Sequence, residues 1–153
     1  MKLLVVTQYF WPEEFRINDL VAELVARGHE VTVLTGKPNY PQGKVFPQFA
    51  AAPETYRRFA GAEVVRLPML ARGKGSLRLA LNYLSFALSG LALGPLKLRG
   101  RRFDAIFVCV LSPVTSALPA VLLRRLRRIP SVLWVLDLWP QSLQAVGVVH
   151  SQR

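Results

Sequence analysis

Short apolar runs alternate with stretches of helical periodicity along the chain. Mostly apolar residues occupy positions 3–6, 31–34, 64–67, 105–110 and 132–136, without strict alternation with polar ones. Unbroken runs of this length are typical of parallel strands whose sheet is covered on both faces. The runs therefore predict an α/β domain, with a parallel sheet of five strands in the order 3-2-1-4-5 and helices on both faces.

The helix between the first two strands is indicated by one apolar face, formed by Ile17, Leu20, Val21, Leu24 and Val25. We expect Pro12, Glu13 and Glu14 in its first turn, where proline needs no N–H and acids meet the positive end of the helix dipole. Residues 36–49 contain three prolines and are predicted to form a loop. A short helix is expected at residues 53–60.

Residues 76–98 form the longest helical segment that the pattern predicts. Its few polar residues fall in one narrow stripe, made of Arg78, Asn82, Ser85 and Ser89. Residues 77–96 would extend about 30 Å as a helix, enough to cross a bilayer. Two glycines, one proline and a position between two predicted strands favour instead a helix packed on the sheet or lying in a membrane surface.

The charge of the chain is concentrated in its middle. The net charge is +11, and residues 57–128 contain fourteen basic and two acidic side chains. Such a field attracts nucleic acid, anionic lipid headgroups or phosphorylated substrates, and charge alone does not choose among these. A helix is predicted at residues 114–128, and Pro119 should either bend it or delay its start. This helix ends in four arginines, more than its dipole requires.

Several function classes are excluded by missing motifs. A single cysteine, Cys109, excludes an internal disulfide and a four-cysteine zinc site, and two histidines argue against a histidine-rich metal centre. The turn after the first strand lacks the glycines of a dinucleotide fingerprint, and neither a phosphate loop nor a G-x-S-x-G elbow occurs. The N-terminus lacks a secretory apolar segment, so the cytosol is the expected compartment.

Ligands of an open parallel sheet bind beyond the carboxyl ends of its strands. There, Tyr9, Phe10 and Trp11 directly precede Pro12 and two glutamates. Aromatic faces stack on sugars, and carboxylates accept hydrogen bonds from hydroxyl groups. This combination favours a turn that binds a saccharide or a hydrophobic acceptor, although the aromatics would also suit the core and the glutamates a helix cap.

Five segments together resemble glycosyltransferase family 4, within the GT-B class. Residues 27–35 resemble the second-strand signature of that class, and residues 8–20 resemble the first-loop segment of the family. Residues 38–41, 82–86 and 137–142 fit the same branch. Their sequences are RGHEVTVLT, QYFWPEEFRINDL, PNYP, NYLSF and DLWPQS. The branch is the one that builds O-antigen and capsular repeat units, such as the N-acetyl-fucosamine transferases.

The resemblance implies that residues 1–153 are a single, incomplete, Rossmann-like acceptor-side domain. The parent would be a retaining, hexosyltransferase-type enzyme that moves a sugar from a nucleotide sugar to a lipid-diphosphate-linked saccharide in cell-surface polysaccharide assembly. The donor-binding half, with its E-x7-E carboxylate pair, would follow this sequence. We therefore expect this chain alone to be inactive, and we expect no cofactor besides the nucleotide-sugar substrate.

The resemblance and the charge pattern also suggest site residues. The expected acceptor contacts are Glu13, Glu14, Arg16, Asn18, Lys37 and Tyr40. Asp137 is the polar group expected to face the reacting centre, and Leu136 stands where many family members carry a histidine. The residues expected to face an anionic membrane are Arg72, Lys74, Arg78, Arg124 and Arg125. No metal ligand and no nucleic-acid partner are expected, and the protein should be peripheral on the cytoplasmic face of the cell membrane.

A rival hypothesis uses the same charge differently. A non-catalytic basic α/β module could dock on anionic membrane or nucleic acid through the middle segment. Such a module has no need for the aromatic and acidic first loop, so that loop separates the two hypotheses.

Overall fold

A computed structural model describes residues 1–111 and 113–136. Within these residues, one sheet contains β1 (Lys2–Thr7), β2 (Glu30–Gly36), β3 (Arg58–Phe59), β4 (Ala62–Leu67), β5 (Ala105–Val110) and β6 (Ser131–Val135). The strand order is β3-β4-β2-β1-β5-β6, and every pair except β3–β4 is parallel. The five predicted parallel strands and their order are confirmed.

The edge of the sheet differs from the prediction. Residues 53–60 were expected to be helical, but only Pro53–Arg57 forms a 3₁₀ turn, and Arg58–Phe59 adds an antiparallel strand beside β4. Ala60 and Gly61 connect the two strands with positive φ angles of 47° and 92°. A two-residue turn with positive φ matches the twist of a hairpin, and this local turn chemistry ends the helix.

The helices are α1 (Arg16–Ala26), α2 (Pro47–Ala51), α3 (Ser76–Lys97) and α4 (Leu118–Arg127), and a 3₁₀ turn at Val114–Ala117 precedes α4. The expectation that Pro12, Glu13 and Glu14 form the first turn of α1 is wrong, because the helix begins at Arg16 after an extended Phe15. The predicted loop at 36–49 ends earlier, since α2 starts at Pro47. Of the two effects expected of Pro119, the delayed start is confirmed, because α4 starts at Leu118 after the 3₁₀ turn.

The two faces of the sheet bury separate cores. On β1, Leu4 and Val6 face one core while Val5 faces the other, and all three are fully buried. The first core includes Phe86 of α3 and Leu123 of α4. Because α1 packs on the opposite face, helices cover the sheet on both sides, as an unbroken aliphatic strand requires.

Helix α3 packs against the sheet with an unusual distribution of polarity. Asn82, Phe86 and Gly90 are buried on its inner side. Its outer side presents leucines that are 40–73% exposed, here called the leucine face: Leu77, Leu81, Leu84, Leu88 and Leu96. By length and composition α3 is the described helix that could cross a membrane. Here one side of it packs on the sheet and on α4.

Two glycines of α3 face the core with different amounts of room. A Cβ atom on Gly90 would overlap the Pro119 ring of α4, whereas a Cβ atom on Gly94 would lie 3.6 Å from Leu34 Cδ2, an ordinary contact. Gly90 therefore sets how closely α3 approaches α4.

Replacing these glycines by alanine should change stability in opposite directions. Gly90→Ala overpacks the α3–α4 contact and should lower the free energy of unfolding by about 1–3 kcal/mol. Gly94→Ala should raise it by up to about 1 kcal/mol, because alanine favours the helix. Chemical denaturation of both variants tests this, and equal effects would contradict the packing described here.

Candidate functional site

A pocket of about 610 Å³ opens at the carboxyl edge of the sheet. The segments that follow β1, β2, β4 and β5 all contribute to it, as does the first part of α3. Its aromatic lining consists of Tyr9, Phe15, Tyr40 and Tyr83, and its aliphatic lining includes Leu79, Ala80, Leu111 and Pro113. We call it the carboxyl-edge pocket, and it lies where an α/β sheet binds its ligands.

The aromatic side of the pocket is a packed cluster. The ring centroid of Tyr9 lies 5.8 Å from that of Phe15 and 5.5 Å from that of Tyr40, and the Phe15 and Tyr40 centroids are 5.2 Å apart. These distances are typical of favourable aromatic pairs. The cluster forms one wall of the pocket, in which Phe15 and Tyr40 are half-buried.

The three consecutive aromatics of the first loop have separate environments. Tyr9 lines the pocket, while Phe10 is fully buried with its ring 5.2 Å from that of Phe59. Trp11 packs against Tyr56, with ring centroids 4.7 Å apart. Phe10 therefore belongs to the core, Tyr9 lines the pocket, and saccharide binding by this turn stays a prediction.

Tyr9 is fixed by a buried polar network centred on Asn82. Asn82 Oδ1 accepts hydrogen bonds from Tyr9 Oη at 2.7 Å and from Gln8 Nε2 at 2.9 Å, and Asn82 Nδ2 donates to the Leu70 carbonyl at 2.6 Å. Burial raises the pKa of the Tyr9 phenol well above its usual value. Tyr9 is therefore a neutral wall of the pocket, joined to α3 and to the loop after β4.

The Glu13 carboxylate connects the loop after β1 to the loop after β2. Its Oε1 accepts the backbone N–H groups of Asn39 and Tyr40, both at 2.7 Å, and its Oε2 accepts the N–H of Phe10 at 3.1 Å. Asn18 Nδ2 donates to the Glu13 carbonyl at 2.7 Å. Burial raises the pKa of the Glu13 carboxyl, while the three N–H donors and nearby Arg66 oppose that rise.

The residues expected to contact an acceptor do not all meet in one place. Tyr40 lines the carboxyl-edge pocket, whereas Glu13 and Asn18 are buried and bonded to backbone. Glu14 and Arg16 are exposed. Lys37 lines a second pocket of about 600 Å³ beside β4. Contact of any of them with an acceptor stays a prediction, and Asp137 lies outside the described residues.

Arg66 is a partly buried cation that the sequence pattern did not single out. Its guanidinium donates to the carbonyls of Gly36, at 2.8 Å, and Trp11, and it lies 5.4 Å from the ring centroid of Phe49. Burial lowers the pKa of Arg66 to about 10. It thereby bonds the loop after β1 and the end of β2 to β4.

The five cations expected to face a membrane are divided between the two ends of the domain. Helices α3 and α4 connect parallel strands, so both begin at the carboxyl edge and end at the amino edge. Lys74 and Arg78 are exposed near the start of α3, whereas Arg124 and Arg125 are exposed in the last turn of α4. These cations therefore do not form one patch, and Arg72 lines the carboxyl-edge pocket. Contact of the five residues with a membrane stays a prediction.

The sequence pointed to Tyr9 and Tyr40 of the pocket, but not to the other side chains that build it. Phe15, Arg72 and Tyr83 line it, and Asn82 supports it. The NYLSF segment was a signal for Asn82 and Tyr83, but only the fold shows which side of the helix each one takes. Within residues 1–111 and 113–136, the structure brings together no three His, Cys, Asp or Glu side chains able to hold a metal ion.

Replacing Glu13 by glutamine should destabilise the fold. The amide nitrogen cannot accept the N–H groups that the carboxylate accepts, and losing a hydrogen bond to a charged group costs about 1.5–3 kcal/mol. Glu14→Gln makes the same chemical change at an exposed position and should leave stability almost unaltered. Urea denaturation at neutral pH compares the two variants, and equal stabilities would refute the bracing role of Glu13.

Comparison with known proteins gives the family. A family model described as "Glycosyl transferase 4-like domain" matches residues 14–152. The Escherichia coli (strain K12) protein WcaI, named as a colanic acid biosynthesis glycosyl transferase, is 31% identical over 97% of this chain. The chain spans only 37% of the length of that relative.

Solved structures show the same fold at low sequence identity. The glycotransferase of kitacinnamycin has a TM-score of 0.61 at 21% identity, covering 95% of this chain and 34% of its own. The calicheamicin glycosyltransferase CalG4 has a TM-score of 0.59 at 19% identity, covering 97% and 38%. The C-terminal domain of the PF1911 hydrogenase from Pyrococcus furiosus has a TM-score of 0.51 at 15% identity, and the match covers 87% of this chain and 90% of that domain. The fold alone therefore does not decide activity. The match of the family model over nearly the whole chain does decide the family, and the protein belongs to the glycosyl transferase 4-like domain family.

Proposed function

We propose that this domain is the acceptor-side half of a retaining, hexosyltransferase-type glycosyltransferase. The parent would transfer a sugar, of the N-acetyl-fucosamine type, from a nucleotide sugar to a lipid-diphosphate-linked saccharide during O-antigen or capsule assembly. Family membership and the colanic acid relative support transfer in polysaccharide synthesis. The observation that carries the acceptor assignment is the aromatic carboxyl-edge pocket.

The pocket is suited to bind and orient an acceptor. The faces of Phe15, Tyr40 and Tyr83 offer apolar surface on which the C–H face of a sugar can stack. Tyr9 donates its hydroxyl hydrogen to Asn82, so it positions rather than exchanges protons. Among the described residues, the lining contains no carboxylate and no imidazole. Under this proposal, Asp137 faces the reacting centre. The donor-binding half of the parent binds the nucleotide, and the phosphate of the donor itself assists the retaining step.

Aromatic contact predicts a specific kinetic change. In the intact transferase containing this domain, Tyr40→Leu should raise the acceptor KM about three- to tenfold with little effect on the donor KM, since an aromatic contact is worth about 0.5–1.5 kcal/mol. The matched control is Tyr56→Leu, which removes a ring that packs on Trp11 and Phe49 outside the pocket. An unchanged acceptor KM for Tyr40→Leu would move the acceptor site elsewhere.

We also propose that the protein is peripheral on the cytoplasmic face of the cell membrane. The leucine face of α3 supports this, because five large apolar side chains lie exposed on one side of a single helix. Val114, Leu118 and Val121, before and within the neighbouring α4, are also exposed. Lys74 and Arg78 at one end of α3, and Arg124 and Arg125 at the amino edge, carry charges that anionic headgroups attract.

The apolar character of this surface argues against nucleic acid as the partner. A surface that binds nucleic acid places cations along the phosphate backbone, often with aromatic rings for stacking. The exposed side of α3 presents leucines between cationic ends instead. This arrangement is typical of a helix that lies in the plane of a bilayer surface. A non-catalytic docking module would share the surface, but the aromatic pocket favours the transferase.

Membrane binding should depend on the leucine face. Leu84→Glu and Leu88→Glu should each lower binding to vesicles of phosphatidylcholine and phosphatidylglycerol by about tenfold, because burying a leucine is worth about 1.5–3 kcal/mol. Val132→Glu is the control, since Val132 is 60% exposed but pairs with Phe107 on the α1 side of the sheet.

Vesicle co-sedimentation provides the measurement. Binding of the unmodified protein should weaken as salt rises, because salt screens the cations. Carbonate extraction should release the protein from membranes. Retention after carbonate treatment would contradict a peripheral arrangement, and equal loss in all three variants would contradict docking through the leucine face.

A further inference from the structure

We infer that Arg72 forms an anion-binding subsite inside the carboxyl-edge pocket, which takes the diphosphate group of an amphiphilic ligand. Among the described residues that line the pocket, Arg72 is the charged one. The inference rests on the proposed function in one respect, since it makes the amphiphile the lipid-linked acceptor. The structure carries the inference through three observations, which are the fixed position of Arg72, its free charge and the apolar walls around it.

The backbone of Arg72 is fixed in place. Its N–H donates to Asn39 Oδ1 at 2.7 Å, and Asn39 is fully buried with its own N–H bonded to Glu13 Oε1. A Cβ atom on Gly43 would overlap the Arg72 carbonyl oxygen, so the two loops meet backbone to backbone. The backbone of Arg72 is therefore held by a hydrogen bond and by close packing against a neighbouring loop.

The guanidinium of Arg72 has neutral neighbours. It lies 5.2 Å from the ring centroid of Tyr40 and interacts with the Tyr9 side chain, whose phenol burial keeps protonated. In the part of the chain that the structure describes, no carboxylate lies within 4.0 Å of it. A planar guanidinium has five donors in a fork that matches phosphate oxygens, so several donors remain for a ligand.

Other arginines that are partly buried have different surroundings. Arg101 pairs with Glu63 through both terminal nitrogens, and Arg127 donates to the carbonyls of Leu98 and Arg101. Arg66 donates to two carbonyls as well. These three hold the fold together through protein oxygens, whereas Arg72 directs its charge toward a pocket.

The rest of the pocket selects for an amphiphile. Leu79, Ala80, Leu111 and Pro113 line it with aliphatic surface, and the leucine face continues from the same turns of α3. A bare phosphate would leave these walls without a partner, and an uncharged lipid would leave Arg72 without one. A diphosphate joined to an isoprenyl chain satisfies both, with the diphosphate on Arg72 and the chain on the aliphatic side.

Binding of farnesyl diphosphate, measured by isothermal titration calorimetry, tests the subsite. Arg72→Gln should weaken binding about ten- to a hundredfold, the loss expected when hydrogen bonds to a charged group are removed. Arg72→Lys should recover part of the affinity, because it keeps the charge without the fork. Lys44→Gln removes one exposed charge from the same edge without touching the pocket lining and should change affinity less than twofold.

Two further probes separate the chemistry of the ligand. Farnesol should bind the unmodified protein and Arg72→Gln equally, and inorganic diphosphate should bind the unmodified protein more weakly than farnesyl diphosphate. Equal weakening by Arg72→Gln and Lys44→Gln would overturn the subsite, because binding would then depend only on the overall positive charge of this edge. Inorganic diphosphate binding as tightly as the farnesyl ester would overturn its amphiphilic character. Unchanged unfolding curves for the Arg72 variants confirm that the fold is intact, since the Asn39 bond uses the backbone.

The subsite and the proposed function can fail separately. Calorimetry needs neither donor nor turnover, so binding that depends on Arg72 would stand even if the intact transferase failed to glycosylate any lipid-diphosphate acceptor. If transfer occurs, Arg72→Gln should raise the acceptor KM and leave the donor KM unchanged. Transfer with an unaltered acceptor KM would overturn the subsite and leave the proposed function in place.

Discussion

The buried carboxylate of Glu13 is the interaction on which the carboxyl edge depends. It accepts N–H groups from its own loop and from the loop after β2, and these backbone groups would otherwise be buried without partners. Asn39, one of the residues so held, fixes the backbone of Arg72 in a third loop. A single acidic side chain therefore sets the relative positions of three loops, and the aromatic pocket exists only because those loops meet.

A second buried polar residue, Asn82, fixes the position of helix α3 through its hydrogen bonds. Its amide joins Gln8, Tyr9 and Leu70, and Ser85 one turn later accepts the N–H of Leu70. A fully buried amide is costly unless its hydrogen bonds are satisfied, so this network specifies one orientation of α3 about its own axis. That orientation turns Tyr83 toward the pocket and the leucines outward. The pocket and the leucine face are thus consequences of the same constraint.

The pocket and the leucine face are connected by helix α3, an arrangement that suits the proposed binding of a lipid-linked acceptor. Helix α3 starts at the pocket, with Ser76, Leu79 and Ala80 in its lining, and runs to the amino edge with an apolar outer side. A lipid-borne ligand held at a membrane surface would reach the pocket along this helix. Fold likeness to a hydrogenase domain as well as to glycosyltransferases shows that the sheet does not determine activity. Under the proposal, the side chains at the carboxyl edge determine it.

The sequence by itself determined the sheet, its strand order and the family. Unbroken aliphatic runs are a local signal, and a strand covered on both faces has few other solutions, so the five parallel strands follow from 3–6, 31–34, 64–67, 105–110 and 132–136. The motifs quoted from the first loop and the second strand pointed to a family that the comparison with a family model then confirmed.

Only the tertiary structure decided which side chains share the site. Glu13 bonds to Tyr40, 27 positions later, and Gln8 bonds to Asn82, 74 positions later, so neither pair is visible in a local pattern. The same holds for the arginines: Arg78 lies at the start of α3 and Arg124 at the end of α4, so they lie at opposite edges although both belong to one basic segment. Local periodicity fixes what an element is, whereas the direction in which a polar side chain points depends on buried hydrogen bonds that form only when distant loops meet.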